Sequence, residues 1–328
     1  MSRGGVLAAG AAVAVLATLT AACDGGADDE PPVGGGPTPA ALSAARAAVA
    51  MPESPRPQRW LYWLSDVDLD RAAAVGAPVA VIDYSRDGTQ EGAFTADEIG
   101  RLRAAMPDPA LVIAYLSIGE AEDYRFYWEE SRAGGKPAWL ESENPDWPGN
   151  FKVRYWDPDW QRLVFGAPGS YLDRILAAGF DGAYLDIIDA YEHFADRGRV
   201  SAEEEMVEFV RAIAGYARSR RPGFLVFPQN APELGARPEY LAVVDGIGVE
   251  GVYFGYEEQD LATDPVVTAE LERALKRFVD AGKLVLAVDY ADSAENVAEA
   301  YRRAREQGFV PTVTDVDLAG PPLPEPAR

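Results

Sequence analysis

The chain has 328 residues, with 53 acidic against 30 basic side chains, a formal charge of −23, one cysteine and one histidine. These counts exclude an internal disulfide, a zinc centre built from three or four His and Cys ligands, and any Ser-His-Asp or Cys-His nucleophile that does not use His193. So negative a chain also repels nucleic acid and acidic membrane surfaces, and neither is expected as a partner. What remains abundant is Asp, Glu, Tyr and Trp, the inventory of a carboxylate enzyme acting on sugars without a cofactor or metal.

Residues 1–23 carry Arg3, an apolar run from Val6 to Leu19 and the ending Leu19-Thr20-Ala21-Ala22-Cys23. This pattern reads as an export signal peptide with a lipobox-like ending in which Cys23 would carry the lipid. The apolar run is too short to cross a ~30 Å hydrocarbon core. The expected location is therefore the cell surface, as a lipoprotein touching the membrane through its lipid anchor alone, with secretion as the alternative. Residues 24–54 are rich in Gly, Pro, Asp and Glu and read as a flexible linker. Residues 55–328 form the expected catalytic domain.

Along that domain, short apolar runs alternate with amphipathic stretches. The expected strands are Trp60–Leu64, Pro78–Tyr84, Leu111–Ser117, Gly182–Ile187, Phe224–Pro228, Gly246–Val249, Leu284–Asp289 and Phe309–Thr314. Helices are expected over Thr95–Ala105, Trp160–Ala178, Glu203–Arg220, Val266–Ala281 and Ala294–Gln307, several of them ending at Gly or Pro. Between the third and fourth strands, Phe151–Trp156 predicts an extra strand or extended insertion. One strand after another closes on an acid or amide: Asp83, Glu120, Asp186, Asn230, Glu250, Asp289 and Asp315. An open doubly wound sheet would gather polar groups at its switch point, whereas a (β/α)8 TIM barrel brings all strand ends to one mouth. The barrel is the expected fold.

Glycoside hydrolysis needs one protonated carboxyl to donate to the leaving oxygen and one ionised carboxyl to attack the anomeric carbon or activate water. Asp186 and Glu250 are the leading catalytic pair. Tyr184 shares a strand face with Asp186, so the acid would point inward over an aromatic ring. Alternatively, Asp186 could cap the next helix and Glu250 could serve an Arg as a structural partner. Candidate substrate contacts on the same rim are Asp83, Tyr84, Tyr115, Glu120, Tyr184, Asp189, Asn230, Asp289 and Tyr290. Glu122 and Asp123 could instead form a salt-bridged loop through Arg125, and His193 is expected to have a supporting role.

Five segments carry a resemblance in the right order: Ile113–Arg125; Trp147–Asn150 with Tyr155–Pro158; Gly179–Tyr191; Pro228–Asn230; and Gly246–Tyr253. Through them the chain resembles glycoside hydrolase family 114, the endo-α-1,4-polygalactosaminidases, over nearly the whole domain. Some relatives bear a name linked to cysteinyl-tRNA synthetase, but no motif here points to tRNA. The resemblance implies a (β/α)8 barrel with an added strand and hydrolysis of α-1,4-linked galactosamine in an exopolysaccharide. It also implies Asp186 as nucleophile and Glu250 as acid/base, with Asp83, Tyr115, Glu120, Asp189 and Asp289 lining the subsite. A ring of acids would attract the ammonium groups of a cationic amino sugar. The rival expectation is a non-catalytic surface lipoprotein that binds glycan on the same scaffold.

Overall fold

In a computed structural model, residues 57–326 are described. The expected signal peptide, Cys23 and the linker over residues 24–54 lie outside the described residues.

The strands are β1 (Leu61–Trp63), β2 (Val79–Ile82), β3 (Leu111–Ser117), β4 (Glu120–Glu122), β5 (Leu140–Glu143), β6 (Asn150–Val153), β7 (Gly182–Asp186), β8 (Leu225–Pro228), β9 (Gly246–Glu250), β10 (Leu284–Tyr290) and β11 (Val310–Thr314). Eight of them are parallel and follow one another in chain order: β1-β2-β3-β7-β8, then β9-β10-β11. A parallel bridge between Gln229 and Gly248 joins the two sets. All eight expected strands are present, in the neighbour order of a (β/α)8 barrel. Among the described residues no ladder links β11 to β1. That seam is spanned past the strand ends, where the Leu64 and Ser65 N–H groups donate to the Leu318 carbonyl at 2.9 and 3.2 Å.

Strand side chains divide by parity, as a period of two requires. Val79, Val81, Tyr184, Phe227, Leu286 and Val288 join an inner cluster that contains no helix residue. Ala80, Ile82, Ala183, Val226, Val285 and Ala287 face the other way and pack with the helices. A sheet face covered only by strand and loop side chains is a sheet wrapped on itself.

The helices are α1 (Leu69–Ala74), α2 (Ala96–Ala105), α3 (Trp128–Arg132), α4 (Pro158–Val164), α5 (Tyr171–Ala177), α6 (Ala190–Ala195), α7 (Ala202–Arg220), α8 (Pro238–Leu241), α9 (Pro265–Asp280) and α10 (Ala294–Glu306). Local chemistry sets their starts: Thr95 and Glu98 form a reciprocal capping box at α2, and Asp264 caps α9 beside Pro265. The single helix expected over Trp160–Ala178 is two helices, α4 and α5. Gly166 and Gly169 adopt φ values of +89° and +78° on either side of Pro168, and no helix runs through such a sequence.

The expected extra strand is β6, but it does not extend the barrel. It is the centre of a separate antiparallel sheet of order β4-β6-β5. This insertion is tied to the barrel rim where the Val153 N–H donates to the Gly119 carbonyl at 3.3 Å.

Candidate active site

At the foot of β7, Asp181 accepts from Arg103 Nε, the Val112 N–H and Arg221 Nη2, which fixes the start of the strand. Alternation then carries Tyr184 and Asp186 inward. Asp186 Oδ2 accepts from the Tyr115 hydroxyl at 2.6 Å, and Oδ1 accepts from the Ile187 N–H at 2.8 Å. Ile187 has φ +59°, a conformation that β-branched residues rarely adopt. The rim is therefore held strained beside the acid, as is common where geometry serves chemistry. Gly119 allows this turn, because a Cβ there would stand 2.2 Å from the Ile187 carbonyl oxygen.

Glu250 arrives from β9 in the run Gly246-Ile247-Gly248-Val249-Glu250. A Cβ on Gly248 would lie 1.7 Å from the Tyr184 hydroxyl, and one on Gly246 would lie 2.3 Å from the Phe227 ring. The glycines thus let large rings cross the barrel, and their contacts fix the inward parity that Glu250 shares. Glu250 Oε2 accepts from Asn230 Nδ2 at 3.0 Å and Oε1 accepts from the Tyr290 hydroxyl. The Glu250 N–H donates to Asn230 Oδ1 at 3.3 Å. Asn230 itself sits at φ +61°, which Asn tolerates better than most side chains. Beneath both acids, the rings of Trp60, Tyr62 and Tyr184 cluster with centroids 5.2–6.2 Å apart, Trp60 stacked on Tyr62 and Tyr184 tilted against both.

Burial first, and then the Glu250 charge, push the Asp186 carboxyl up to about 8, against the Tyr115 and Ile187 hydrogen bonds that favour its charged form. The Glu250 carboxylate is therefore near enough to Asp186 for its charge to act on it. Asp189 is pushed up to about 6 by burial and by Glu250 and Glu120, and Glu192 to about 7 by burial, Asp189 and Glu233. Burial holds the Tyr115 and Tyr290 hydroxyls well above their ordinary range, so both remain proton donors to the carboxylates.

The remaining candidates divide by depth. Glu120 Oε1 takes Asn144 Nδ2 at 2.9 Å and Lys152 Nζ at 3.3 Å, while Oε2 is buried without a partner. Asp83 is covered and held by both Nη atoms of Arg125, at 3.0 and 2.7 Å. Arg125 also binds Glu122 at 2.6 Å and lies 4.8–6.0 Å from the ring centroids of Tyr84, Tyr115, Tyr124 and Tyr171. Asp289 accepts from the Tyr253 and Phe254 N–H groups at 2.7 and 2.9 Å, under the loop that leaves β9. Asp83, Tyr84 and Asp289 therefore lie behind the mouth, while Asp186, Glu250, Tyr115, Tyr184, Asp189, Asn230 and Tyr290 converge on it. The ion pair through Arg125 includes Glu122.

Sequence reasoning did not find Lys152, Glu192, Glu233 or the bond from the Tyr62 hydroxyl to Gln229 Oε1 at 2.8 Å. Lys152 had a signal: once β4 and β6 are read as a hairpin-like pair, Glu120 and Lys152 fall directly opposite. Among the described residues, no group of three or more His, Cys, Asp and Glu side chains is placed to hold a metal ion, and no helix is long and apolar enough to cross a membrane.

The model of glycoside-hydrolase family GH114 matches residues 39–323. An uncharacterised protein of Thermotoga maritima is 39% identical over 275 residues, 79% of this chain and 81% of its own length. Among solved structures, the glycoside hydrolase domain of PelA from Pseudomonas aeruginosa superposes with a TM-score of 0.63 at 19% identity, covering 81% of this chain and 98% of that one. Aspergillus fumigatus Ega3, in complex with galactosamine, gives 0.60 at 18% identity, covering 83% and 97%. At these identities the two structures establish likeness of fold.

Proposed function

Because the chain belongs to glycoside-hydrolase family GH114 and is a glycosidase, we propose that it cleaves an α-1,4-linked galactosamine-containing exopolysaccharide with Asp186 and Glu250 as its carboxylate pair. The observation that carries this reading is the pair itself, two inward acids from β7 and β9, with the Glu250 charge close enough to raise the Asp186 carboxyl. At neutral pH Asp186, raised to about 8, carries its proton before substrate enters. An ammonium group entering beside Asp189 and Glu120 favours ionised carboxylates, so a cationic ring lowers the Asp186 pKa as it binds. Asp186 then acts as nucleophile, its two oxygens oriented by Tyr115 and the Ile187 N–H. The proton that Asp186 gives up passes to Glu250, which, steadied by Asn230 and Tyr290, donates it to the leaving oxygen as Asp186 bonds the anomeric carbon and then takes a proton from the water that cleaves that bond. The galactosamine bound to Ega3 lends support to an amino sugar as substrate.

The test is release of oligosaccharides from partially deacetylated galactosaminogalactan. Asp186→Asn and Glu250→Gln should each lose turnover by about 10³-fold or more while retaining binding. Absence of products from the parent chain would remove the substrate assignment, and full activity in either variant would remove the pair. We also propose export with Cys23 lipidated, on the strength of residues 1–23. Its test is metabolic incorporation of a labelled fatty acid that Cys23→Ala abolishes.

A further inference from the structure

Outside the acidic mouth, the insertion sheet and α6 border an open cavity of about 410 Å³, lined by Glu141, Arg154, Trp156, His193, Arg197 and Arg199 among others. In a chain of net charge −23, three guanidinium groups here face a single bordering carboxylate. Arg154 is paired with Glu141 at 2.5 Å, and Arg199 with Glu205 through two bonds of 2.6 Å. Arg197 donates to the His193 carbonyl at 2.8 Å and has no carboxylate partner among the described residues.

We propose that this cavity binds an anionic sugar residue, a hexuronate, with Arg197 and the His193 ring on its carboxylate and, bordering it, the partly exposed Trp156 ring, over which the Arg199 guanidinium lies at 3.7 Å. A guanidinium fork matches a carboxylate in shape as well as charge. A space of this size suits a small organic ligand better than a bare ion. The global negative charge does not forbid it, since charges beyond a Debye length of about 8–10 Å are screened and the nearest groups set the field. That local field is positive: burial, Lys152 and Arg197 hold the His193 imidazole below its ordinary pKa, against Glu141 and Asp196. Lys152, whose charge acts on His193, also reaches Glu120 at 3.3 Å, so the cavity lies close to the rim that bears Glu120. A polymer crossing from the acidic centre over β6 meets the basic cavity next. A chain of mixed charge, cationic at the cleavage point and carrying a uronate a short distance away, is complementary to both.

His193 is the only histidine in the sequence, so its ring signals in an NMR spectrum are unambiguous. The purified chain is titrated with galacturonate, and separately with galactose, acetate and inorganic phosphate. Saturable movement of the His193 resonance with galacturonate, with an upward shift of its titration midpoint, is the expected result, because a bound anion favours imidazolium. Arg197→Gln, at an exposed position, should weaken that binding about tenfold. No saturable response to galacturonate, an equal response to galactose, acetate or phosphate, or undiminished binding in Arg197→Gln would each overturn the assignment.

Discussion

Asn230 grips Glu250 at both ends, its Nδ2 donating to the carboxylate at 3.0 Å and its Oδ1 accepting from the Glu250 N–H at 3.3 Å. One amide thus fixes the acid's rotamer relative to its own backbone. Asn230→Ala should lower kcat about 10- to 100-fold with little change in KM, because the group misplaced is one that acts in the transition state. Steady-state kinetics on a soluble oligosaccharide distinguish this from loss of a substrate contact, which would raise KM.

Gly248 carries the closest approach in the barrel interior. Gly248→Ala would drive a methyl into Tyr184 and should destabilise the chain by about 1–3 kcal/mol or more, seen as a lower urea midpoint. Combining it with Tyr184→Leu should cost less than the sum of the two single changes, since the clash and the lost ring share one space.

Asp186 has a folded pKa of about 8 against an ordinary value of 3.8, so the folded state binds more protons than the unfolded one across that window. Its contribution to stability therefore falls as pH rises from about 4 to about 8. Asp186→Asn removes this slope, and the variant should gain resistance to urea relative to the parent at pH 8 but not at pH 4.

Arg125 neutralises two covered acids, Asp83 and Glu122, and is itself fully covered. Arg125→Met leaves both carboxylates buried without a cation and should cost about 3–5 kcal/mol in stability. Calorimetric unfolding measures it, and an unchanged midpoint would show that the triad contributes nothing to the fold.

The barrel was legible because one strand after another closes on an acid or amide, and Asp186 and Glu250 stood out because β7 and β9 each carry such an acid with the inward parity. Parity also explains two candidates that lie elsewhere. Asp289 has the parity of Val285 and Ala287, which face the helices, and Tyr84 that of Ala80 and Ile82. Asp83 has the inward parity of Val79 and Val81, yet Arg125, 42 residues away, captures it. No local pattern announces a pairing at that distance. The break between α4 and α5 was written in Gly166-Ala167-Pro168-Gly169, but amphipathic spacing on both sides masked it.

The antiparallel insertion β4-β6-β5 stands apart from the strands that bear Asp186 and Glu250, and it carries Glu120, Lys152 and one wall of the basic cavity, the other wall being α6 and the turn after it. Bond breaking and polymer choice are therefore assigned to separable parts of the molecule. Grafting residues 120–157 together with 193–199 between related barrels should exchange the glycan that is accepted while leaving the bond-cleaving step untouched, which makes this rim the natural place to engineer a new preference.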